Sequence, residues 1–251
     1  MAHSTPMTTA KPARAPRTAK PTKRFSLVSA AAQQEMVRAL TTLESFRART
    51  AGGAGVAGEA AGEVAGEVAE VAVCLAAGKQ SPVILACTAR GARTVRKDSK
   101  IVRAKGRKLA AATLAAIDAL LADPQATAAV VCAGTLDPQP EAQQDYRAAL
   151  RFAARHKLPI LFLVANSLTP GQSRQLDLPT LYAEFGIPLF SVDASDAIAA
   201  FRVATEALHN ARHLRGPCVI EALTVHPPHP GPVSPLALLA AYMERHGNRP
   251  S

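Results

Sequence analysis

The sequence predicts an α/β domain in which a parallel sheet lies between two layers of helices. Short apolar runs alternate with segments of helical periodicity between residues 82 and 223, and this alternation is typical of βαβ units. The clearest strand is the apolar run at residues 160–164, bounded by Pro159 and Asn166. Continuous apolar runs suit strands that are buried on both faces. Because ligands bind beyond the carboxyl ends of such strands, the residues there are the first candidates for a site.

The 251-residue chain predicts a basic tail over residues 1–24 and a single α/β domain over residues 25–251. The tail holds six Lys or Arg residues, no acid and no apolar periodicity, so we expect it to be disordered and dispensable for folding. It lacks the apolar central stretch of a secretory signal. The composition favours a bacterial cytoplasmic protein, and an organelle transit peptide, which is also Arg-rich, stays open.

Two further observations narrow the class of protein. No apolar run approaches the roughly 18 residues that a membrane-spanning helix requires, so the sequence argues against a membrane protein. The four cysteines lie far apart and form no Cys-x-x-Cys pair, which predicts buried, reduced thiols instead of a zinc or redox motif.

The helices and strands follow from periodicity along the chain. Strands are expected at residues 82–87, 128–133, 160–164, 187–192 and 218–223, and helices at residues 26–49, 109–121, 180–185, 194–212 and 236–245. A further helix carries the stripe Val64, Val68, Val71 and Leu75 and ends at Gly78, and another precedes Pro159. Three helices carry apolar stripes: the first two and the last. One sheet does not easily cover the apolar surface of all three. They predict either association with another subunit or helices that fold back onto the sheet.

Residues 90–108 form a basic stretch with nine Lys or Arg residues against one acid, Asp98. Five of the basic residues recur at spacings of three and four, which would place them on one helical face that phosphates can bind: Arg93, Arg96, Lys97, Lys100 and Arg103. No aromatic residue is interleaved and no nucleic-acid-binding motif is present. A solvated basic loop is therefore favoured over a nucleic-acid site.

Further along, we expect Asp193 to cap a helix whose first turn contains Asp196.

Several segments resemble one family. RFAARHKLPILFLVANS, FGIPLFSVDASDAIAAF, ATEALHNAR and GPCVIEALT are similar, in the same order, to the α subunit of the thiamine-diphosphate-dependent first component of 2-oxo acid dehydrogenases. That family includes the pyruvate, branched-chain and acetoin dehydrogenases. The resemblance covers roughly residues 30–230 and is most specific over residues 150–224. It implies a thiamine-diphosphate-binding-like fold and an oxidoreductase that transfers an acyl group to a lipoyl acyltransferase.

The resemblance also implies cofactors and partners. In the family, Mg²⁺ holds thiamine diphosphate through a Gly-Asp-Gly carboxylate and an Asn about 29 residues later, and such hard oxygen ligands suit Mg²⁺. A β-type subunit supplies the glutamate that activates the cofactor, so we expect a homo- or hetero-oligomer. The resemblance assigns no catalytic residue to this chain.

The corresponding loop reads AGTLDPQPE, and Asp137 and Asn166 have the required spacing of 29 residues. They are the expected metal ligands. A gap-free count back from the Lys-Leu-Pro segment places Asp137 on the first Gly of the family motif and Ser167 on the ligand Asn, so Ser167 is a further cofactor-binding candidate. His226, in the loop after the last strand, is the fourth cofactor-binding candidate.

Departures from the family pattern leave two functions open. Leu136 and Pro138 occupy positions where the family has flexible glycines, and the loop directly after the last strand, residues 226–234, contains no Lys or Arg. Only about 30 residues separate Gly78 from Leu109. One function is the α-type subunit of a 2-oxo acid dehydrogenase with a degenerate metal loop. The other is a non-catalytic scaffold or regulatory relative that kept the fold and lost cofactor binding.

Overall fold

The computed structural model describes residues 26–50, 59–87, 89–96, 101–103, 109–135, 140–168, 178–214, 216–225 and 234–248. The predicted tail at residues 1–24 lies outside this part of the chain. The helices are α1 (Ala30–Thr50), α2 (Glu59–Ala77), α3 (Arg90–Val95), α4 (Leu109–Ala122), α5 (Pro140–Arg155), α6 (Leu178–Glu184), α7 (Ala197–Leu214) and α8 (Pro235–Arg245). The strands are β1 (Val83–Leu85), β2 (Ile101–Arg103), β3 (Ala129–Thr135), β4 (Ile160–Leu168), β5 (Leu189–Asp193) and β6 (Cys218–Val225).

The strands form one parallel sheet in the order β2-β1-β3-β4-β6-β5. Helices α2 and α7 cover one face, where their alanines pack closely on the strands. Helices α4, α5 and α6 cover the other face. This arrangement confirms the predicted three-layer α/β architecture, because most apolar residues of β1, β3, β4 and β6 are buried between two helical layers.

Helices α1 and α8 pack on the outer side of α2 and α7. Val68 and Val71 of α2 are buried there, together with Met36 of α1 and Met243 of α8. For the described residues, the apolar stripes therefore fold back within the chain, which is the second of the two alternatives that the sequence left open. They supply no argument for association. None of the described helices has the length and apolarity needed to cross a membrane.

The described part of residues 93–103 does not form the single cationic helical face that the spacing of the charges allowed. Helix α3 ends at Val95, and Arg103 lies in strand β2, which pairs with β1 at the edge of the sheet. The guanidinium of Arg96 is buried and donates to the carbonyl oxygens of Gly78 and Ser81, at the C-terminal end of α2. Backbone pairing with β1 and the docking of α3 on α2 override the helical spacing of the charges.

Strand β4 is longer than the apolar run that predicted it. It continues to Leu168 because β6 runs beside it and pairs in register up to Val225. Asn166 and Ser167 therefore lie within the strand instead of beyond its end.

The cap of α7 is Asp196 and not, as the sequence had suggested, Asp193. Asp196 is the cap, since its Oδ1 accepts hydrogen bonds from the backbone N–H groups of Ile198 (3.0 Å) and Ala199 (2.9 Å). Asp193 instead accepts from the N–H and hydroxyl of Ser195 in the preceding turn. The reason is that α7 begins at Ala197, later than the sequence pattern indicated.

Candidate functional site

A group of polar side chains lies between the sheet and helices α5 and α6. It consists of Asn166 of β4, Ser191 of β5, Glu221 of β6, Tyr146 of α5 and Tyr182 of α6, and is called the polar cluster below. Its members come from five different elements. The parallel packing of β4, β6 and β5 brings the three strand residues together, and the packing of α5 and α6 on that face adds the two tyrosines.

Glu221 is at the centre of the polar cluster and is fully buried. Its Oε1 accepts a hydrogen bond from Nδ2 of Asn166 at 2.6 Å, and its Oε2 accepts one from the hydroxyl of Ser191 at 2.8 Å. The register explains both contacts. Glu221 pairs with Ser191 on one side and with Val164 on the other, and Asn166 is on the same face as Val164 because strand side chains alternate. Buried carboxyl groups need such donors.

The two tyrosines border the polar cluster on the side of helices α5 and α6. Their hydroxyls share a hydrogen bond, and their rings meet edge-on with centroids 6.0 Å apart. Burial raises the pKa of Tyr146 well above its usual range, and the neighbouring Tyr182 and Glu221 raise it further. Burial also raises the pKa of Tyr182. Both groups are therefore neutral phenols near neutral pH, which suits them to hydrogen bonding and not to proton abstraction.

Asn166 is the one predicted ligand whose side chain the structure describes. It is half-buried, and its Nδ2 points to Glu221, so its oxygen Oδ1 is turned away from that carboxyl. An amide oxygen is among the ligands that Mg²⁺ and other hard cations accept. The orientation of this side chain thus fits a ligand for a divalent cation.

The other predicted site residues are placed only in part. Ser167 lies in β4, paired with Thr224 of β6, but its side chain falls outside the described residues, as do Asp137 and His226 altogether. Within the described ranges, no group of three or more His, Cys, Asp or Glu residues is arranged to hold a metal ion. The fit of the site to a metal therefore rests on Asn166.

The end of β3 is shaped by Gly134. Its φ is +70°, and the pairing with β4 shifts register between Cys132 and Gly134. A Cβ at this position would lie 2.7 Å from the Cβ of Cys87, so only glycine fits. Bulges of this kind re-aim a strand beside a site, and here the bulge directly precedes the segment that contains Asp137.

A second buried carboxyl lies on the opposite face of the sheet. Glu70 of α2 accepts hydrogen bonds from the backbone N–H groups of Gly91 (2.9 Å) and Ala92 (3.4 Å). Burial raises its pKa to about 7, although the hydrogen bonds from Ala92 and Gly91 oppose the shift. These contacts attach α3 to α2, so we assign Glu70 a structural role.

The cysteines agree with the expectation of reduced thiols. All four are free; Cys74, Cys132 and Cys218 are buried and Cys87 is half-buried. The adjacent Cys74 thiol and burial raise the pKa of Cys132 well above its ordinary value, and burial raises that of Cys218 to about 11. Thiols of this kind react slowly, because the thiolate is the nucleophile.

Sequence reasoning had not assigned a role to Glu221, Ser191, Tyr146 or Tyr182. One signal for Glu221 was present, since it is an ionisable residue inside the otherwise apolar run CVIEALTV. A charged residue at such a position requires a partner. No pattern pointed to the partners, which are 55 and 30 residues away along the chain.

Comparison with known proteins identifies the family. The family model described as "Dehydrogenase E1 component" matches residues 89–229, which is more than half of the chain, so the chain belongs to the dehydrogenase E1 component family. The polar cluster lies within the matched range, and the resemblance noted in the sequence is confirmed.

Curated relatives match over shorter stretches. The chain is 37% identical over 81 residues to the pyruvate dehydrogenase E1 component subunit alpha of Porphyra purpurea. It is 34% identical over 88 residues to that of Staphylococcus epidermidis. The matched regions cover 30% and 33% of this chain but only 24% of each relative.

Solved structures resemble the fold at low identity. Benzoylformate decarboxylase from Polynucleobacter necessarius has a TM-score of 0.46 and 13% identity, over 65% of this chain and 33% of that chain. A putative thiamin diphosphate-dependent enzyme from Mycobacterium smegmatis has a TM-score of 0.42 and 20% identity, over 62% of this chain and 31% of that chain.

Proposed function

We propose that this chain is the α-type subunit of a thiamine-diphosphate-dependent 2-oxo acid dehydrogenase and holds the diphosphate end of the cofactor through Mg²⁺. The observation that carries the proposal is Asn166. It lies toward the C-terminal end of a central parallel strand, inside the family-matched region, with its amide oxygen turned away from Glu221. That edge of a parallel sheet is where ligands bind.

Each remaining candidate has a role in this proposal. Asp137 supplies a carboxylate to the metal beside Asn166. Ser167 replaces Asn166 as the ligand if the chain aligns with the family motif without a gap. The segment with Asp137 joins the end of β3 to α5, and α5 packs on the same face of the sheet as Val164, the face to which Asn166 belongs. His226 follows β6 and contacts the diphosphate.

Thiamine diphosphate, when bound, supplies the electron sink for decarboxylation of the 2-oxo acid. The residues of this chain bind and orient the diphosphate and the metal. A β-type subunit contributes the glutamate that activates the cofactor, and a lipoyl acyltransferase accepts the acyl group. The proposed protein is therefore one subunit of a hetero-oligomer.

Calorimetry of the chain assembled with a β-type subunit tests the proposal. We expect saturable binding of thiamine diphosphate that requires Mg²⁺ and that weakens at least about tenfold in Asn166→Ala. Asn210→Ala is the matched control, because Asn210 is a half-buried asparagine in the later turns of α7. No saturable binding by the assembled wild-type complex would overturn the proposal.

The second candidate function is a non-catalytic relative that acts as a scaffold or regulatory subunit. It is favoured by Leu136 and Pro138 in the metal loop and by the short connection from α2 to α4. Turnover of a 2-oxo acid that disappears in Asp137→Ala and Asn166→Ala would exclude this candidate. A stable assembly that shows neither turnover nor cofactor binding would support it.

A further inference from the structure

We propose that helices α4 and α5 form the surface through which two copies of this chain associate. The inference concerns the outer side of these helices, whose inner side packs against the sheet. It is independent of the proposed function, because none of the predicted ligands belongs to α4 or α5.

Large apolar side chains are exposed on the outer side of both helices. Four large hydrophobic residues in the described part of the chain are exposed, and three of them lie on α4 and α5: Leu114 at 57%, Leu121 at 78% and Phe152 at 43%. Leu114 and Leu121 are seven residues apart, so they lie on one side of α4, two turns from each other. A group of exposed apolar side chains of this kind marks an interaction surface.

Helix α4 is apolar on its outer side as well as on its inner side. Leu109, Ala112 and Ala116 are buried on the inner side, and Asp118 is the only charged residue among the 14 residues of the helix. Helices that are apolar on all sides occur where all sides are covered. Because the sheet covers only the inner side of α4, a second surface is needed to cover the outer side.

The apolar surface continues from α4 onto α5. Oδ2 of Asp145 in α5 accepts a hydrogen bond from the backbone N–H of Ala110 in α4, at 3.3 Å. Phe152 follows Asp145 by seven residues and therefore lies on the same side of α5, next to α4. The exposed ring of Phe152 thus extends the apolar side of α4 across the groove between the two helices.

The charges on this surface make it complementary to itself. Both helices connect parallel strands of one sheet, so they run in the same direction, and the contact between Ala110 and Asp145 sets their relative height. With a rise of about 1.5 Å per residue, Asp118 is about 12 Å along α4 from this contact. Arg151 and Arg155 are about 9 Å and about 15 Å along α5. The acid on α4 is therefore level with two bases on α5, and all three side chains are exposed.

A two-fold axis along the groove, parallel to the helices, satisfies both the apolar groups and the charges. It places α4 of each copy on α5 of the other, so that Asp118 faces Arg151 and Arg155 of the second copy. The three exposed apolar side chains are then buried at the centre. Such a contact uses the same patch on both subunits. An unrelated partner has to supply matching acidic and basic groups, whereas a second copy already carries them.

Analytical ultracentrifugation of the full chain tests the inference. At micromolar concentrations we expect a mass of about 52 kDa, twice the 26.2 kDa of one chain, with dissociation on dilution. Leu121→Asp buries a charge at the centre of the contact and should raise the dissociation constant by at least about tenfold. Leu27→Asp is the matched control, because Leu27 is 64% exposed and precedes α1, on the other side of the sheet. It should leave the dissociation constant unchanged.

A charge exchange tests the orientation of the two copies. Asp118→Arg opposes like charges across the contact and should weaken association on the order of tenfold. Adding Arg155→Asp should bring the dissociation constant back to within about threefold of the wild type, because the two sites again have opposite charges. Both positions are exposed, so each variant should fold, and circular dichroism checks this.

Three results would overturn the inference. One is a wild-type chain that stays monomeric throughout the micromolar range. Another is a dimer that Leu121→Asp and Leu27→Asp affect equally, or one that Arg155→Asp fails to restore in the Asp118→Arg background. The last is a monomeric chain whose assembly with a β-type subunit is weakened by Leu121→Asp, since the surface then belongs to that partner. None of these measurements involves thiamine diphosphate, so their failure is distinguishable from failure of the proposed function.

Discussion

At the scale of single residues, two buried carboxyl groups differ in how they are satisfied. Glu221 receives its hydrogen bonds from the side chains of Asn166 and Ser191, whereas Glu70 receives them from backbone N–H groups at the start of α3. The first arrangement orients another side chain. The second connects two helices, and its strength depends on whether the carboxyl is ionised.

The raised pKa of Glu70 predicts a pH dependence of stability. The pKa of Glu70 in the folded state is about 7, above the ordinary carboxyl value of 4.5, so folding binds a proton between these two pH values. Stability from this group is fully present below about pH 4.5 and falls as the pH rises through about 7. A shift of this size corresponds to a loss on the order of 3 kcal/mol.

The variant Glu70→Gln should remove this dependence, since the amide stays neutral and its oxygen still accepts from Gly91. We expect a higher thermal midpoint than the wild type at pH 8 and a smaller difference at pH 5. Thermal unfolding of both proteins across this range measures the effect. A difference between the two proteins that does not vary with pH would contradict the assigned pKa.

At the scale of elements, the contact between α2 and α3 depends on a glycine. A Cβ on Gly91 would lie 1.9 Å from the carbonyl oxygen of Glu67, whereas a Cβ on Gly66, also in α2, would meet only the Cβ of Ala165 at 3.7 Å. The first distance is impossible without movement of a helix backbone. The second is ordinary van der Waals contact.

The two glycines provide a matched pair of substitutions. Gly91→Ala should force α3 away from α2 and lower the free energy of unfolding by at least about 3 kcal/mol. Gly66→Ala should raise it by up to about 1 kcal/mol, because alanine favours the helix and has room. Denaturant unfolding of both variants measures the pair. Equal effects would show that α3 is not held against α2 as described.

At the scale of the whole molecule, α1 and α8 form an additional helical layer over α2 and α7. Leu239 of α8 is 2% exposed and Met243 is completely buried, and both pack with Val68 and Val71. The N- and C-terminal helices of the domain therefore cover the same apolar surface. We conclude that α8 belongs to the folded core.

Truncation of a buried side chain in α8 tests this conclusion. Leu239→Ala should cost about 2–5 kcal/mol of unfolding free energy, as buried leucines do. Leu238→Ala, at the adjacent half-buried position, should cost about 1 kcal/mol. Denaturant unfolding gives both values. Similar small losses would indicate that α8 is only loosely attached.

Much of the architecture was predictable from local patterns. Apolar runs and helical periodicity located the central strands and long helices, because burial on both faces leaves a continuous signature in the sequence. Family motifs pointed to the sheet edge near Asn166. Predictions failed where short elements depend on distant pairing, as in β2, which has three residues and exists through its hydrogen bonds to β1.

The sequence by itself determined the fold class and the family, and it placed Asn166 next to a central strand. Only the tertiary structure decided that Asn166 donates to Glu221, that Asp196 and not Asp193 caps α7, and that α1 and α8 cover the outer stripe of α2. The physical reason is range. Periodicity and propensity reflect residues that are near one another along the chain. The contacts of Glu221 in the polar cluster instead depend on strand register, and they join residues that are 30 and 55 positions apart.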